Sequence, residues 1–98
     1  MNLTFRGIGF TPDDEDREFL DKKLKKLGFA EDYLHDLDIV ARKEAKGIGF
    51  HIDATLHFSW KKEKVVSQDA YELHEGIELI ADKIQAAAKK EKEKTMGL

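Results

Sequence analysis

Residues Leu3 and Phe5 fall on one side of the opening segment and Asn2, Thr4 and Arg6 on the other, the period of a short strand with one face in water. Gly7 and Gly9 are expected to break it. The period then changes. Leu20, Leu24 and Leu27 recur at i, i+4 and i+7 with Phe19 on the flank, which predicts a helix from about Asp13 to Leu27 with one apolar stripe to bury. Asp13 with Asp16 three positions on has capping-box chemistry, Thr11-Pro12 offers a start one turn earlier, and Gly28 offers a left-handed stop. Leu37, Ile39 and Ala41 next alternate with Asp38, Val40 and Arg42, leading into Glu44-Ala45-Lys46-Gly47, a polar hairpin connection with glycine where a positive φ would be needed. The return strand is the clearest in the chain. Ile48, Phe50, Ile52, Ala54, Leu56 and Phe58 share one face, and Gly49, His51, Asp53, Thr55, His57 and Ser59 share the other. Trp60-Lys61-Lys62-Glu63 reads as a second turn, Lys64 to about Gln68 as a shorter strand, and Asp69 as an N-cap with Glu72 three residues later. Leu73, Ile77, Ile80, Ile84 and Ala87 continue as a helical stripe that runs into a Lys/Glu-rich end before Gly97, a helix of more than about 20 residues or roughly 30 Å.

The element order is therefore β-α-β-β-β-α. Four strands with polar outer faces need both helices on their one apolar face, so the expected fold class is α+β, a two-layer domain with a four-stranded sheet. Neither an internal repeat nor a linker interrupts it, and residues 1–98 read as a single domain. The 98 residues are 41% hydrophobic and 38% charged with a formal net charge of −3, which excludes both a disordered acidic chain and a strongly basic protein. The placement of charge therefore matters more than its sum. Cysteine is absent, which removes disulfides, cysteine nucleophiles and thiolate metal sites and fits a reducing cytoplasm. With no long apolar run, neither a signal peptide nor a membrane span is expected.

Both helices are acidic first and basic last, as the helix dipole favours. Helix one opens with Asp13, Asp14, Glu15, Asp16 and Glu18 and closes with Lys22, Lys23, Lys25 and Lys26. Helix two opens with Glu72, Glu75, Glu78 and Asp82, followed by Lys83, Lys89, Lys90, Lys92 and Lys94. On a helical wheel Lys22, Lys23 and Lys26 share one flank of the leucine stripe, and Lys25 points further round. Lys83, Lys90 and Lys94 fall within about 40° of one another, a basic row roughly 16 Å long. Such a row is an electrostatic footprint for a phosphate backbone. Solvated helix ends give the same pattern and do so more often. Trp60 continues the core face of its strand, the weightier reading, and beside Lys61 and Lys62 it also has the chemistry to stack on an exposed base. His51, Asp53 and His57 share a strand face, but the two histidines lie about 20 Å apart along it, too far to hold one ion. Asp53 with His51 or His35 makes the only acid/base pairs, and neither has a nucleophile or a Gly-rich phosphate loop beside it. No metal site, cofactor or catalysis is expected.

Met1 to Gly7, the Arg17 to Leu27 helix, Ile52-Asp53-Ala54-Thr55-Leu56-His57 and the segment Glu72 to Ile84 together resemble the ribosome hibernation-promoting factors. That family includes ribosome-associated inhibitor A and the sigma-54 modulation proteins. The resemblance runs through nearly the whole chain in order and spacing. It implies a double-stranded-RNA-binding-domain-like fold and a cytoplasmic bacterial protein that sits in the mRNA and tRNA channel of the small ribosomal subunit. There it would hold ribosomes inactive under stress or in stationary phase. Its partner would be the small subunit and its ribosomal RNA, with no membrane, small-molecule substrate or cofactor. The family's basic positions match Lys22, Lys23 and Lys26 on helix one and Lys83, Lys89, Lys90, Lys92 and Lys94 on helix two, with the basic helix end at about 83–94. The two rows would form one surface against RNA phosphates, fixing position without reading sequence. The chain departs from the family pattern in its net negative charge, in Asp16 where an apolar residue is usual, in His74 where Tyr is expected, and in Ala86 where a basic residue is common. Ending at Leu98, it fits the short hibernation-promoting form. The alternatives are a diverged protein-interaction or regulatory module of the same fold and, more remotely, an enzyme whose site is assembled across strands.

Overall fold

A computed structural model describes residues 1–96. The elements are β1 (Asn2–Ile8), α1 (Asp14–Leu24), a 3-10 segment (Lys25–Ala30), β2 (Leu34–Lys43), β3 (Phe50–Phe58), β4 (Glu63–Ala70) and α2 (Leu73–Met96). This is the α+β order expected from the periodicities. The sheet order is β1-β2-β3-β4, with β1 parallel to β2 and the other pairs antiparallel. The crossover that a parallel pair requires is α1. Both helices lie on one face, and α2 packs on β3 and β4 with α1 along its other side.

The alternation decides which side chains are buried. Ile39 and Ala41 of β2, Ile52, Ala54 and Leu56 of β3, Leu20 of α1 and Ile77, Ile80 and Ile84 of α2 meet between the layers with at most 1% of their surface exposed. Each large aliphatic buried this way contributes roughly 1.5–3 kcal/mol, so the α2 stripe is the strongest single tie between helix and sheet. Asp13 caps α1 as expected. Its carboxylate accepts the Asp16 N–H at 2.8 Å, and the Asp16 carboxylate accepts the Asp13 N–H at 3.0 Å, so the helix starts there and not at Thr11-Pro12.

Several boundaries differ from the expected ones, each for a local reason. β1 does not stop at Gly7, because Gly7 pairs with Ala41 and Ile8 with Arg42. The chain turns only at Gly9. Gly7 is required all the same, since a Cβ there would sit 2.4 Å from the Phe10 carbonyl oxygen and 2.9 Å from Pro12 Cδ. Gly28 is not a left-handed stop, and the 3-10 segment passes through it. Leu24, Leu27 and Ala30 are all buried, and their spacing of three matches the 3-10 period. The β2–β3 connection is longer than Glu44 to Gly47. The positive φ falls on Gly49, at 107°, where a Cβ would lie 2.4 Å from the Ala70 carbonyl oxygen. Ile48 is consequently 83% exposed and not part of the core face. β4 extends beyond Gln68 to Ala70, so Asp69 lies in the strand opposite His51 and does not cap α2. The Glu75 carboxylate accepts the Tyr71 N–H at 3.2 Å beside the helix start instead. Gly97 and Leu98 lie outside the described residues.

Candidate nucleic-acid interface

The lysine-rich ends are gathered by the direction of the helices. His74 contacts Asp16 at 2.7 Å, Glu78 contacts Lys23 at 3.2 Å and Asp82 pairs with Lys26. These contacts advance together along both helices, so α1 and α2 run parallel. Their acidic first turns share one pole of the molecule and their basic ends point to the other, which adds the two helix dipoles.

A second element reaches the basic pole. The β3–β4 turn, with Lys61 in a left-handed conformation at φ 61°, swings Lys62 onto α2, where its Nζ lies 2.7 Å from Glu91 Oε1. From Trp60 to Lys64 and from Lys89 to Lys94 seven lysines stand against three glutamates. One of these, Glu91, is only 2% exposed. The Lys62 hydrogen bond and charge, helped by Lys94 and Lys64, outweigh burial and hold the Glu91 carboxyl below the usual carboxylate range. Phe58 and Trp60 stack at 5.1 Å and Tyr33 lies 5.6 Å from Trp60. The tryptophan is half-buried against the core, so packing, the weightier of its two readings, describes its position.

The expected site residues divide into three sets. Lys22, Lys90 and Lys94 extend into solvent. Lys89 and Lys92 lie over aromatic rings of the segment that follows α1, 5.5 Å from the Phe29 centroid and 5.3 Å from the Tyr33 centroid. Lys23, Lys26 and Lys83 are engaged within the fold. The first two pair with Glu78 and Asp82, and Lys83 donates to the Ser67 carbonyl of edge strand β4 at 2.7 Å. The rows therefore do not form one surface. Burying Ile77, Ile80 and Ile84 turns Glu78 and Asp82 toward α1 and Lys83 toward β4, so the α1 row and the Lys83/Lys90/Lys94 row flank α2 on opposite sides. The structure instead brings Lys61, Lys62 and Lys64 to the α2 end. The sequence signals their density beside Trp60, whereas their proximity to α2 depends on a pairing 29 positions apart.

The outer sheet face is polar and internally bonded. His51 contacts Asp69 at 2.6 Å and Asp53 at 3.0 Å, and the Ser67 hydroxyl donates to the same Asp53. His57 contacts Asp38 at 3.0 Å, and Thr4 donates to Asp38 at 2.7 Å. The hydrogen bond to Asp69 is the largest influence on His51 and, with the Asp53 charge, raises its pKa above 6.5 against the opposing effect of burial. The Thr4 hydroxyl leads in holding Asp38 below its ordinary value. Among the described residues no group of three or more His, Cys, Asp or Glu is placed to hold a metal ion. Nor is any helix among them long and apolar enough to cross a membrane. The arrangement is suited to binding a polyanion at one pole.

A search of curated protein sequences finds no match. Two solved structures share the fold. One is a ribosomal subunit interface protein from Coxiella burnetii, 17% identical, covering 94% of this chain and 98% of that one with a TM-score of 0.82. The other is the N-terminal domain of Protein Y from Thermus thermophilus, 19% identical, covering 92% and 98% with a TM-score of 0.77. The family model described as sigma 54 modulation protein / S30EA ribosomal protein matches residues 3–96, and the chain belongs to that family.

Proposed function

We propose that this protein is a ribosome-associated inhibitor of translation that docks its basic pole on small-subunit ribosomal RNA in the mRNA and tRNA channel and holds ribosomes inactive under stress. Family membership over residues 3–96 carries the reading, and the segregation of lysines to one pole supports it. A net charge of −3 is no obstacle to such docking, because lysines outnumber glutamates seven to three where the β3–β4 turn meets the end of α2. The action is occupancy, with no bond made or broken and no cofactor. Lys89, Lys90, Lys92 and Lys94 are the first phosphate contacts, with exposed Lys22 a separate one on α1, level with the Glu78 turn of α2. Lys23 and Lys26 are available at small cost, since exposed ion pairs of this kind are worth about 0–1 kcal/mol and phosphate replaces the carboxylate they leave. Lys83 serves the fold through Ser67.

Co-sedimentation with bacterial small subunits, at low and near-physiological salt, tests this. The wild type is expected in the pellet, with binding that weakens steeply as salt rises. The Lys90→Gln/Lys94→Gln variant, which spares the Lys89–Phe29 contact and the Lys62–Glu91 pair, is expected in the supernatant while remaining folded, with at most a small drop in thermal midpoint. Lys83 is left intact in that variant because its loss would disturb β4. Wild-type protein that stays in the supernatant at both salts would overturn the reading and favour a protein-interaction module of the same fold.

A further inference from the structure

We infer that the acidic pole carries a docking groove for a cationic protein segment with aliphatic or aromatic side chains between its lysines or arginines. Among the described residues seven large apolar side chains are exposed, and Ile48, Tyr71 and Leu79 are three of them, at 83%, 75% and 40%. Scattered singly such residues mean little. Here they line, with half-buried Phe50, one concavity of about 560 Å³ between the β2–β3 loop and the start of α2, within the range of about 300–1,000 Å³ typical of binding sites. A clustered apolar surface of this kind marks an interaction site.

The walls are held in place before anything binds. Glu44 N–H donates to the Gly49 carbonyl at 3.1 Å and closes the loop. Gly49 lies against the Ala70 carbonyl too closely for any side chain. Phe10 supports Phe50 edge-on at 5.1 Å, and Glu75 fixes the Tyr71 backbone. Preorganisation of this kind lowers the ordering cost of association.

Charge selects the occupant. Glu44 and Glu75 bring carboxylates to the groove, Asp69 lines it with its carboxylate turned to His51 on the outer sheet face, and no lysine or arginine lines it. Glu72, immediately before α2, is exposed beside it. An anionic partner, whether nucleic acid or lipid headgroup, is repelled there. A basic segment pairs with the carboxylates while its apolar side chains cover Ile48, Tyr71 and Leu79. A second copy of this chain fits less well, because the large apolar side chains exposed toward its basic pole, Met1, Phe29 and Val65, stand on three separate stretches of chain and not along one cationic segment. The groove lies at the opposite pole from the lysines, so it can be filled while they hold RNA.

The test titrates the isotopically labelled full chain with a short peptide alternating lysine and leucine, followed by NMR, with glutamate/leucine and lysine/serine peptides as controls. Saturable shifts are expected at Ile48, Tyr71 and Leu79. Affinity should fall by about tenfold or more in Ile48→Ser/Tyr71→Ser, in Glu44→Lys and for the lysine/serine peptide. These positions are exposed, so the variants should keep the wild-type thermal midpoint. Absence of saturation, shifts confined to the outer sheet face, or equal binding of the lysine/serine peptide would overturn the inference. So would shifts at the same residues on concentrating the protein alone that vanish in Ile48→Ser/Tyr71→Ser, because the occupant would then be a second copy. None of these readouts depends on ribosome binding.

Discussion

Two glycines separate sterics from conformational freedom. At Gly7 a methyl group would collide with a backbone oxygen 2.4 Å away, which cannot swing aside as a side chain can. Gly7→Ala is expected to destabilise the fold by about 1–3 kcal/mol, a drop of roughly 4–8 °C per kcal/mol for a domain of this size. Gly28 has no neighbour within 4 Å and no positive φ. Gly28→Ala should be neutral or stabilise by up to about 1 kcal/mol through loss of unfolded-state freedom. Thermal melts of both variants check the contrast, and equal losses would remove the steric account. His51 is tied to pH. Because Asp69 and Asp53 raise its folded-state pKa above 6.5, the stability they confer is complete below the unfolded value and fades as pH rises through the raised one. His51→Gln should therefore cost stability at about pH 5.5 and little at about pH 9, measured by denaturant midpoints. A loss independent of pH would assign the effect to packing.

At the level of elements, the α1–α2 contact joins the two residues, Asp16 and His74, that the resemblance marked as departures. The two side chains meet at 2.7 Å with His74 stacked 4.4 Å from Phe19. Burial pushes the Asp16 carboxyl up, but the Asp13 N–H and the His74 contact outweigh it and leave it below its ordinary value. Asp16→Leu loses the reciprocal bond to the Asp13 N–H, though not the Asp13 cap itself, and strands a half-buried imidazole, and His74→Tyr leaves the carboxylate without its partner. The double variant restores an apolar–aromatic contact, so a double-mutant cycle should show coupling of about 0.5–3 kcal/mol, and additive losses would mean the replacements are independent. Such a pairing is not legible in one sequence, since Asp16 and His74 are 58 positions apart. The apolar stripes, the β3 alternation and the Asp13 cap were legible because each is written within a few residues. Leu24, Leu27 and Ala30 show the limit, because Leu20, Leu24 and Leu27 also satisfy an α-helical stripe and only the packed chain decides for the tighter helix. The lysine rows were legible as rows, while the rotation of α2 that parts them depends on how Ile77, Ile80 and Ile84 seat on the sheet.

For the whole molecule, what matters is where charge lies relative to the screening length. Leu73 and Lys90 are separated by roughly 25 Å of helix, whereas the Debye length at physiological salt is about 8 Å. Carboxylates at the acidic pole thus contribute little field at the lysines, and the net charge of −3 says little about affinity for RNA. Two pairs of variants make this quantitative. Asp14→Asn/Glu15→Gln removes two negative charges at the far pole and should change small-subunit affinity by less than about twofold at physiological salt, with a larger gain only as the Debye length grows at low salt. Lys90→Gln/Lys94→Gln removes two positive charges at the near pole and should weaken binding by about tenfold or more, while lowering the slope of log affinity against log salt by roughly 1.4–1.8. Both changes are of two units and opposite in sign, so equal and opposite effects would mean that net charge governs docking. A large loss from the lysine pair with a slope unchanged would mean that Lys90 and Lys94 act through the fold and not through phosphate. Only unequal effects with a reduced slope match docking that is set by the charges nearest the polyanion and not by the net charge of the molecule.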